Sequence, residues 1–588
     1  MARLRLNMFM DIGREEIAEI LEEIAILLEL KGENVFKTRA YRNGAEAVMN
    51  TEEDIIALAK EGNLGGIKGF GKALQEKVAE LVQTGKMTYY ENLRGEFPEG
   101  LFELFELSGL GPKKIKALYT KLDVDSISSL KTVCESGKVA ELSGFGKKTV
   151  EKILESIELK EKFASHFRLG SVAVMAEVLL EKVREHPATL RCTHAGSYRR
   201  SKEILHDVDI LVATDKPEEL TEYFSQLDEV HSVIVCGETK ASIRLDNGLQ
   251  CDLRAVSNAA YPFALQYFSG SKEHNVEMRK RAKVKGWSLN EYDFQGEDTS
   301  VKLPEVNEEA DIYNALGLEF IPPELRENRG EFEAAENGEI PKLIEPENLR
   351  GTFHNHTTAS DGRNSLEEMA AAAIDLGLEY LGIADHSKSS FQANGLYPDR
   401  LLRQVEEIKK LNENPEWDGK FKLIAGSEVD ILKDGSLDFP DDVLKLLDYC
   451  VASVHNAFTL PEDEMTTRII NAMENEHVTM LGHLTGRLLL RRNPYAVNVD
   501  KIIDCAAETG TIIELNCSPM RLDMDWRHWK KAKEKGVKCS INPDAHRIEQ
   551  LQYLSYGVRL ARKGWLTKSD VVNTKNLSEV QEWLGMNG

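Results

Sequence analysis

The chain has 588 residues, 74 Lys+Arg against 98 Asp+Glu for a formal net charge of −24, and 42% hydrophobic content. That length implies several domains of ~100–200 residues, each able to bury its own core, and no apolar run approaches the ~20 residues a membrane span needs. The charge excludes a broadly basic coat but is only an average over domains.

The N-terminus MARLRLNMFMDIGREE runs straight into acidic helix without a small-residue cleavage site, so no export signal is expected. The eight cysteines form no CxxC pair and read as reduced thiols of a cytosolic protein. IAEILEEIAILLELKG has helical apolar spacing and stops at Gly32. A short motif then recurs three times: Ile67-Lys-Gly-Phe-Gly-Lys72, Leu107-Ser-Gly-Leu-Gly-Pro-Lys113 and Leu142-Ser-Gly-Phe-Gly-Lys147. Each copy precedes an amphipathic helix (ALQEKVAELV, KIKALYTKL, TVEKILESI). Gly69, Gly71, Gly109, Gly111, Gly144 and Gly146 let the backbone turn tightly and aim free N–H groups at an anion, and Lys72 and its counterparts add charge. One such turn would be unremarkable. Three copies resemble helix-hairpin-helix motifs, which grip a DNA backbone without reading its sequence.

Residues 194–213 read HAGSYRRSKEILHDVDILVA. Asp207 and Asp209 lie two apart in a β-branched run, so on a strand both carboxylates face one side. Asp252, in LQCDLRAV, could pair alongside. Three converging carboxylates repel one another unless cations join them, and two Mg²⁺ (or Mn²⁺) would make a clamp for in-line phosphoryl transfer. Gly196 and Ser197 offer a close backbone approach and a hydroxyl for phosphates, and Arg200 a forked donor. Further on, residues 301–350 hold 5 Lys/Arg against 13 Asp/Glu, a third of the net charge. Within them, Pro322–Glu347 is acidic and broken by Pro and Gly, the composition of a linker.

After residue 350, seven apolar runs each end in a polar or ligand-type residue, with helical stretches between them. The pattern is that of an α/β barrel whose strand ends gather at one mouth. Six of the 14 histidines (His354, His356, His386, His455, His483 and His546) sit at these ends with Asp361, Glu428 and Asp544. A lone histidine in an apolar run is usually structural; six at equivalent places are not. Mixed imidazole and carboxylate ligands suit Zn²⁺, Mn²⁺ or Fe²⁺, nine ligands suit two or three ions, and such a cluster hydrolyses phosphoesters. Arg487 and Arg521 are candidate contacts to a substrate phosphate.

GSYRR…DVD together with YFSGSKEHNVEMR (267–279) resembles the family X DNA polymerases over residues 1–325 or so. The resemblance implies metal ligands Asp207, Asp209 and Asp252 and triphosphate contacts Ser197 and Arg200. It also places Tyr267 and Phe268 by the incoming sugar, Asn275 at the nascent base pair and Arg279 at the template. Ser201 and His206 depart from the family pattern, which has glycine at both places. VFKTRAYRNGAEAV resembles the family's 5′-phosphate-binding lyase domain, with Lys77 at the Schiff-base position and Lys37 and Tyr41 on the phosphate side. HNH…D…DH…E…H…H…DAH resembles the PHP (polymerase and histidinol phosphatase) domain, implying a trinuclear site on the nine ligands named.

These resemblances imply a multidomain α+β and α/β chain. Residues 1–88 are expected to form a lyase-like DNA-binding domain, 89–160 a fingers-like hairpin domain, 161–260 a nucleotidyltransferase palm, 261–321 a thumb, 322–347 a linker and 348–588 a distorted (β/α)7 PHP barrel. The expected function is a monomeric bacterial DNA polymerase that fills gapped or primed DNA from dNTPs in repair, with a metal-dependent 3′-5′ exonuclease or end-processing activity and no membrane partner. Two alternatives are a DNA-targeted phosphoesterase whose transferase site is weakened by Ser201 and His206, and a non-catalytic module bridging DNA ends.

Overall fold

A computed structural model describes residues 14–51, 55–67, 70–107, 110–162, 165–296 and 302–586. Gly69 and Gly109, two of the expected DNA-facing glycines, lie outside the described residues. The chain divides into two compact units, residues 1–164 and 165–588.

The first unit is helical. Helix α1 (Arg14–Lys31) ends at Gly32, whose φ of +82° a glycine adopts without strain. Its apolar stripe Ile17, Leu21, Ile24 and Leu28 is buried, and its main packing partner is α2 (Val35–Asn50), capped by Asn34. The three repeats share one hydrogen-bond pattern. Phe70, Leu110 and Phe145 donate their N–H to the carbonyls of Ile67, Leu107 and Leu142 at 3.1, 3.4 and 3.1 Å. Helices α3 (Lys72–Thr84), α4 (Pro112–Leu122) and α5 (Lys147–Lys162) follow. Ile67, Phe70, Leu107, Leu110 and Phe145 are buried and Leu142 packs against the same core, which leaves the described glycines of these turns facing outward. A β-carbon on Gly71, Gly111, Gly144 or Gly146 would meet nothing within 4 Å.

The second unit opens with α6 (Leu169–Glu185), packed on a five-stranded sheet. Its strands are β1 (Arg191–His194), β2 (Asp207–Ala213), β3 (Val230–Cys236), β4 (Lys240–Leu245) and β5 (Gln250–Val256), in the order β1-β2-β5-β4-β3. Only β2 and β5 run parallel, and their register sets Asp209 opposite Asp252. The short helix α7 (Gly196–Arg199) follows β1. Helices α8 (Tyr261–Ser269), α9 (Lys272–Val284) and α10 (Glu309–Leu316) complete the thumb region.

The expected linker 322–347 is instead packed structure. It carries a helix, α11 (Glu331–Asn337), and its Leu325, Phe332 and Ala335 join the apolar cluster of Met278, Ile312 and Leu316. Two of its charges are fully buried. Glu331 accepts from the backbone N–H groups of Asn328 (2.7 Å) and Arg329 (2.6 Å) and meets His274 Nδ1 at 2.9 Å, while Arg326 binds Glu309 at 2.5 Å.

The remainder is a seven-stranded parallel barrel in simple sequence order. Its strands are β6 (Gly351–Thr352), β7 (Tyr380–Ile383), β8 (Lys422–Asp430), β9 (Tyr449–Ser453), β10 (Met480–Leu481), β11 (Ile512–Asn516) and β12 (Cys539–Asn542). Each grows from one of the seven apolar runs, and the backbone bridge between Asn355 and Ala545 joins the first strand's extension to the last. One apolar cluster runs from α6 and the five-stranded sheet into the barrel and its outer helices, among them α12 (Leu554–Lys563). Among the described residues, no helix is long and apolar enough to cross a membrane, and all eight cysteines are free.

Candidate functional site

Alternation along β2 puts Asp207 and Asp209 on one face, and the parallel register adds Asp252. Packed side by side, the carboxylates oppose one another's ionisation. Burial and then the neighbouring Asp207 and Asp252 push Asp209 up to about 7, and burial and Asp252 raise Asp207. Lys240, which the sequence reading passed over, meets Asp252 at 2.8 Å from β4. Gln250 donates to the other Asp252 oxygen at 2.9 Å. The donor set of a crowded, partly desolvated carboxylate triad fits divalent cations.

Gly196 starts α7 at φ +60°, and its backbone lies directly over Asp209. Tyr198 anchors this turn in the core, its hydroxyl donating to Glu177 at 2.9 Å. Arg199 makes a forked pair with Glu309. Arg200 donates from Nε to Glu327 at 3.1 Å and from Nη1 to the Ser269 carbonyl at 2.9 Å. Its Nη2 has no protein acceptor among the described residues. Tyr267 and Phe268 meet edge to face at 5.2 Å. Asn275 is held at both ends of its amide, donating to the Tyr267 carbonyl at 2.6 Å and accepting from Gln266 at 3.0 Å. Arg279 is exposed on α9. Ser201 occupies φ +55°, the left-handed region that glycine enters freely, and His206 packs against His166 with ring centroids 3.9 Å apart.

At the barrel mouth the nine expected ligands come together. Ligand atoms of His356, Asp361, His386 and His546 lie within 4.8 Å of one another, as do those of His354, His356 and Asp544, and of His386, Glu428 and His455. His483 Nε2 lies 2.9 Å from Glu428. His354 Nε2, both nitrogens of His356, His386 Nδ1 and Glu428 Oε2 are buried and make no hydrogen bond among the described residues. Orphaned donors and acceptors aimed at a common point fit a metal cluster. The charges are strongly coupled. Burial disfavours every ionised form here, yet Glu428 is held well below the usual carboxylate range by His455, His354 and His386. His546 is raised to about 9, where Asp361 and Asp544 overcome burial, and His356 is lowered to about 4 by burial and its neighbouring histidines.

A cavity of about 440 Å³ opens over this cluster, lined also by Ser389, Phe391, Asn456 and Arg521. Arg521 lies 3.5 Å from Asp544 and faces the cavity. Arg487 does not. It is buried against Asp525 (2.7 Å) and palm residue Glu203 (3.0 Å), which removes it as a candidate phosphate contact. Two carboxylates outside the nine orient imidazoles. Glu514 binds His354 Nδ1 at 2.7 Å, and Asp430 binds His455 Nδ1 at 3.0 Å, each fixing which nitrogen faces the cluster. Asp430 is a polar strand-end residue of the run FKLIAGSEVDI, whereas Glu514 was missed, its signal being an acid inside the apolar strand IIELN.

In the helical unit, the Lys77 amine sits 4.4 Å from the Tyr89 ring centroid and 5.8 Å from that of Tyr41. Its pKa is lowered, first by burial and then by Lys37 rather than Lys72. Tyr41 is buried, stacked on Tyr89 at 6.0 Å, whereas Lys37 pairs loosely with Glu33 at 3.5 Å.

Four family descriptions match the sequence: a helix-hairpin-helix domain (residues 12–87), a SAM-like helix-hairpin-helix tandem (102–159), the DNA polymerase beta thumb (264–327) and the PHP domain (352–518). A protein of Bacillus subtilis (strain 168) named DNA polymerase/3′-5′ exonuclease PolX is 39% identical over 576 residues, spanning 98% of this chain and 100% of that relative. A probable phosphatase of Thermoanaerobacter sp. (strain X514) is 30% identical over 244 residues, 39% of this chain and 92% of the relative. A probable phosphatase of Caldanaerobacter subterraneus subsp. tengcongensis is 27% identical over 243 residues, 39% of this chain and 89% of its own length.

Proposed function

Because the chain belongs to the PolX family of bacterial DNA polymerases with a PHP domain, we propose a division of labour between its two carboxylate-rich centres. The enzyme is a DNA polymerase and 3′-5′ exonuclease. The palm carries nucleotidyl transfer, and the barrel carries phosphoester hydrolysis at the 3′ end. The single observation behind this reading is the placement of two separate ligand sets in one unit, a carboxylate triad on the palm sheet and a histidine-rich cluster at the barrel mouth.

In the palm, Asp207, Asp209 and Asp252 would hold two Mg²⁺ or Mn²⁺ ions, which supply charge neutralisation for the phosphoryl group in flight. The bare backbone at Gly196 lets the turn close over Asp209, the Ser197 hydroxyl donates to the triphosphate, and the free Nη2 edge of Arg200 binds it. The primer 3′-oxygen forms a bond to the α-phosphorus of a dNTP as the bond to pyrophosphate breaks. Tyr267 and Phe268 bound the sugar, Asn275 is held toward the base pair and Arg279 is free for the template strand. Lys240 balances Asp252.

In the barrel, His354, His356, Asp361, His386, Glu428, His455, His483, Asp544 and His546 would hold two or three Mn²⁺, Zn²⁺ or Fe²⁺ ions, which supply a nucleophilic hydroxide at neutral pH. Arg521 is placed to receive the scissile phosphate, and Glu514 and Asp430 hold their imidazoles in orientation. The likeness to probable phosphatases supports hydrolysis as the barrel's chemistry.

The outward glycines 71, 111, 144 and 146, with Lys72, support binding of gapped or primed DNA through its backbone. The lowered pKa of Lys77 supports lyase chemistry on a 5′-deoxyribose phosphate, with Lys37 as phosphate contact. Tyr41, being buried, supports the lysine rather than touching phosphate. The resulting picture is a monomeric cytoplasmic enzyme of base excision repair or end processing.

One assay tests both centres. A labelled primer on a one-nucleotide gap is incubated with and without dNTPs, in Mg²⁺ or Mn²⁺, using the wild type, Asp207→Ala and His354→Ala. Extension lost only in the first variant and shortening lost only in the second is the expected result. Extension that survives Asp207→Ala removes the palm assignment.

A further inference from the structure

The turn that carries Ser197 and Arg200 is not held by the palm alone. From barrel helix α12, Arg559 donates through Nη2 to the Tyr198 carbonyl at 2.5 Å and through Nε to Ser201 Oγ at 3.3 Å. Its guanidinium also lies 4.3 Å from the Tyr198 ring centroid. One helical turn later, Lys563 donates to the Arg200 carbonyl at 2.8 Å, the Glu324 carbonyl at 3.2 Å and Glu327 Oε1 at 2.8 Å. The Lys563 side chain is fully buried.

Three facts make these contacts more than interface packing. First, Ser201 stands at φ +55°, where a side chain is strained, and its hydroxyl is the group Arg559 takes hold of. Second, Glu327 Oε1 accepts from both Lys563 and Arg200 Nε, so one oxygen links the barrel to the nucleotide-binding arginine. Third, a buried ammonium is costly unless every proton is satisfied, and Lys563 has three acceptors, one of them the backbone of Arg200 itself. Residues 559 and 563 are four apart, on one face of the helix, so they bear on the turn together.

We propose that Arg559 and Lys563 are positioning residues for nucleotide binding: the barrel fixes the 196–202 turn and aims the free edge of Arg200. This rests on the nucleotidyl-transfer reading of the palm. Without Lys563, Glu327 loses its nearest cation and draws on Arg200 more strongly, while the Arg200 carbonyl loses its lysine donor. Without Arg559, Ser201 Oγ loses its partner and the Tyr198 carbonyl keeps only backbone donors such as the Ser201 N–H at 3.0 Å, so the turn relaxes away from its strained form. Both changes weaken nucleotide affinity more than turnover.

The test uses full-length protein with Arg559→Ala, Arg559→Lys, Lys563→Met and Lys563→Arg. Steady-state single-nucleotide insertion gives KM for dNTP and kcat separately. Hydrolysis of bis(p-nitrophenyl) phosphate by the same preparations monitors the barrel, and thermal melting monitors folding. The expected result is a rise in dNTP KM of about tenfold or more for Arg559→Ala and Lys563→Met. kcat and diester hydrolysis should change by less than ~3-fold, with substantial recovery of KM in the two conservative variants. Folded variants with unchanged KM, or a loss confined to kcat, overturn the proposal. If Lys563→Met does not fold, Arg559→Ala and Arg559→Lys decide by the same criterion. Absence of Asp207-dependent insertion by the wild type would instead overturn the palm reading on which the proposal rests.

Discussion

Gly196 and Asp209 are so close that a β-carbon on the glycine would lie 1.9 Å from Asp209 Oδ2. The glycine also sits at φ +60°, so two constraints coincide at one position. Gly196→Ala must therefore displace either the Asp209 carboxylate or the turn that carries Ser197 and Arg200. Primer extension should fall by ~10²-fold or more, as expected when reacting groups are misplaced by about 1 Å. Barrel hydrolysis should be unaffected. Near-normal extension by Gly196→Ala would mean that this approach has no part in catalysis.

Glu428 approaches His354, His386, His455 and His483 at 3.3, 2.9, 3.1 and 2.9 Å. Glu428→Gln removes the charge common to them. Metal bound per chain, measured by elemental analysis after gel filtration, should drop by at least one equivalent, with nuclease activity lost and primer extension retained. A variant with full metal content and normal nuclease activity would place the hydrolytic centre elsewhere.

Acid should loosen the thumb region through Glu309. Burial raises the pKa of this carboxyl, but Arg326 and Arg199 outweigh it and hold the group at about 2, below its ordinary 4.5. A depressed carboxylate stabilises the fold fully above pH ~4.5, and that contribution is lost as pH falls toward 2. Urea unfolding followed by fluorescence between pH 6 and 2 should show this slope in the wild type. Glu309→Gln should flatten it and, by leaving Arg326 without its carboxylate, cost ~3–5 kcal/mol at neutral pH. A pH profile identical in both proteins would discount the pair.

Borohydride reduction of a mixture with 5′-deoxyribose-phosphate DNA should trap a covalent adduct, absent in Lys77→Ala. Lys37→Ala should reduce the trapping rate at pH 7, because Lys37 is the charged group that lowers the Lys77 pKa. An adduct that persists in Lys77→Ala assigns the amine to another residue.

The sequence exposed whatever repeats or alternates. All seven barrel strands were legible, and six of the seven runs carry the histidines and acids that the fold gathers at the mouth, because an apolar run ending in such residues has little else to be. The three glycine turns were legible because three copies outweigh chance. What was hidden depends on burial and long range. The segment 322–347 looked solvated because charge and Pro/Gly dominate its composition, yet inside the fold Arg326 pairs with Glu309, and Glu331 is hydrogen-bonded by two backbone N–H groups and His274. Arg487 sat in a glycine-rich strand-end loop that suited phosphate, but its partner Glu203 is 284 residues away. Lys240 had no motif around it. Ser201 looked like a flaw in a familiar signature, and the arginine that accommodates it lies 358 residues further along.

The unbroken apolar cluster shared by the palm and the barrel bears on how this enzyme can be altered over generations. Deleting the barrel would strand greasy surface on α6 and the palm sheet, and a crossover that swapped in a foreign barrel would have to match that surface side chain by side chain. Synthesis and degradation of the strand are thus inherited together, and a lineage that discards one activity is expected to do so by eroding ligands at the mouth rather than by shedding the scaffold.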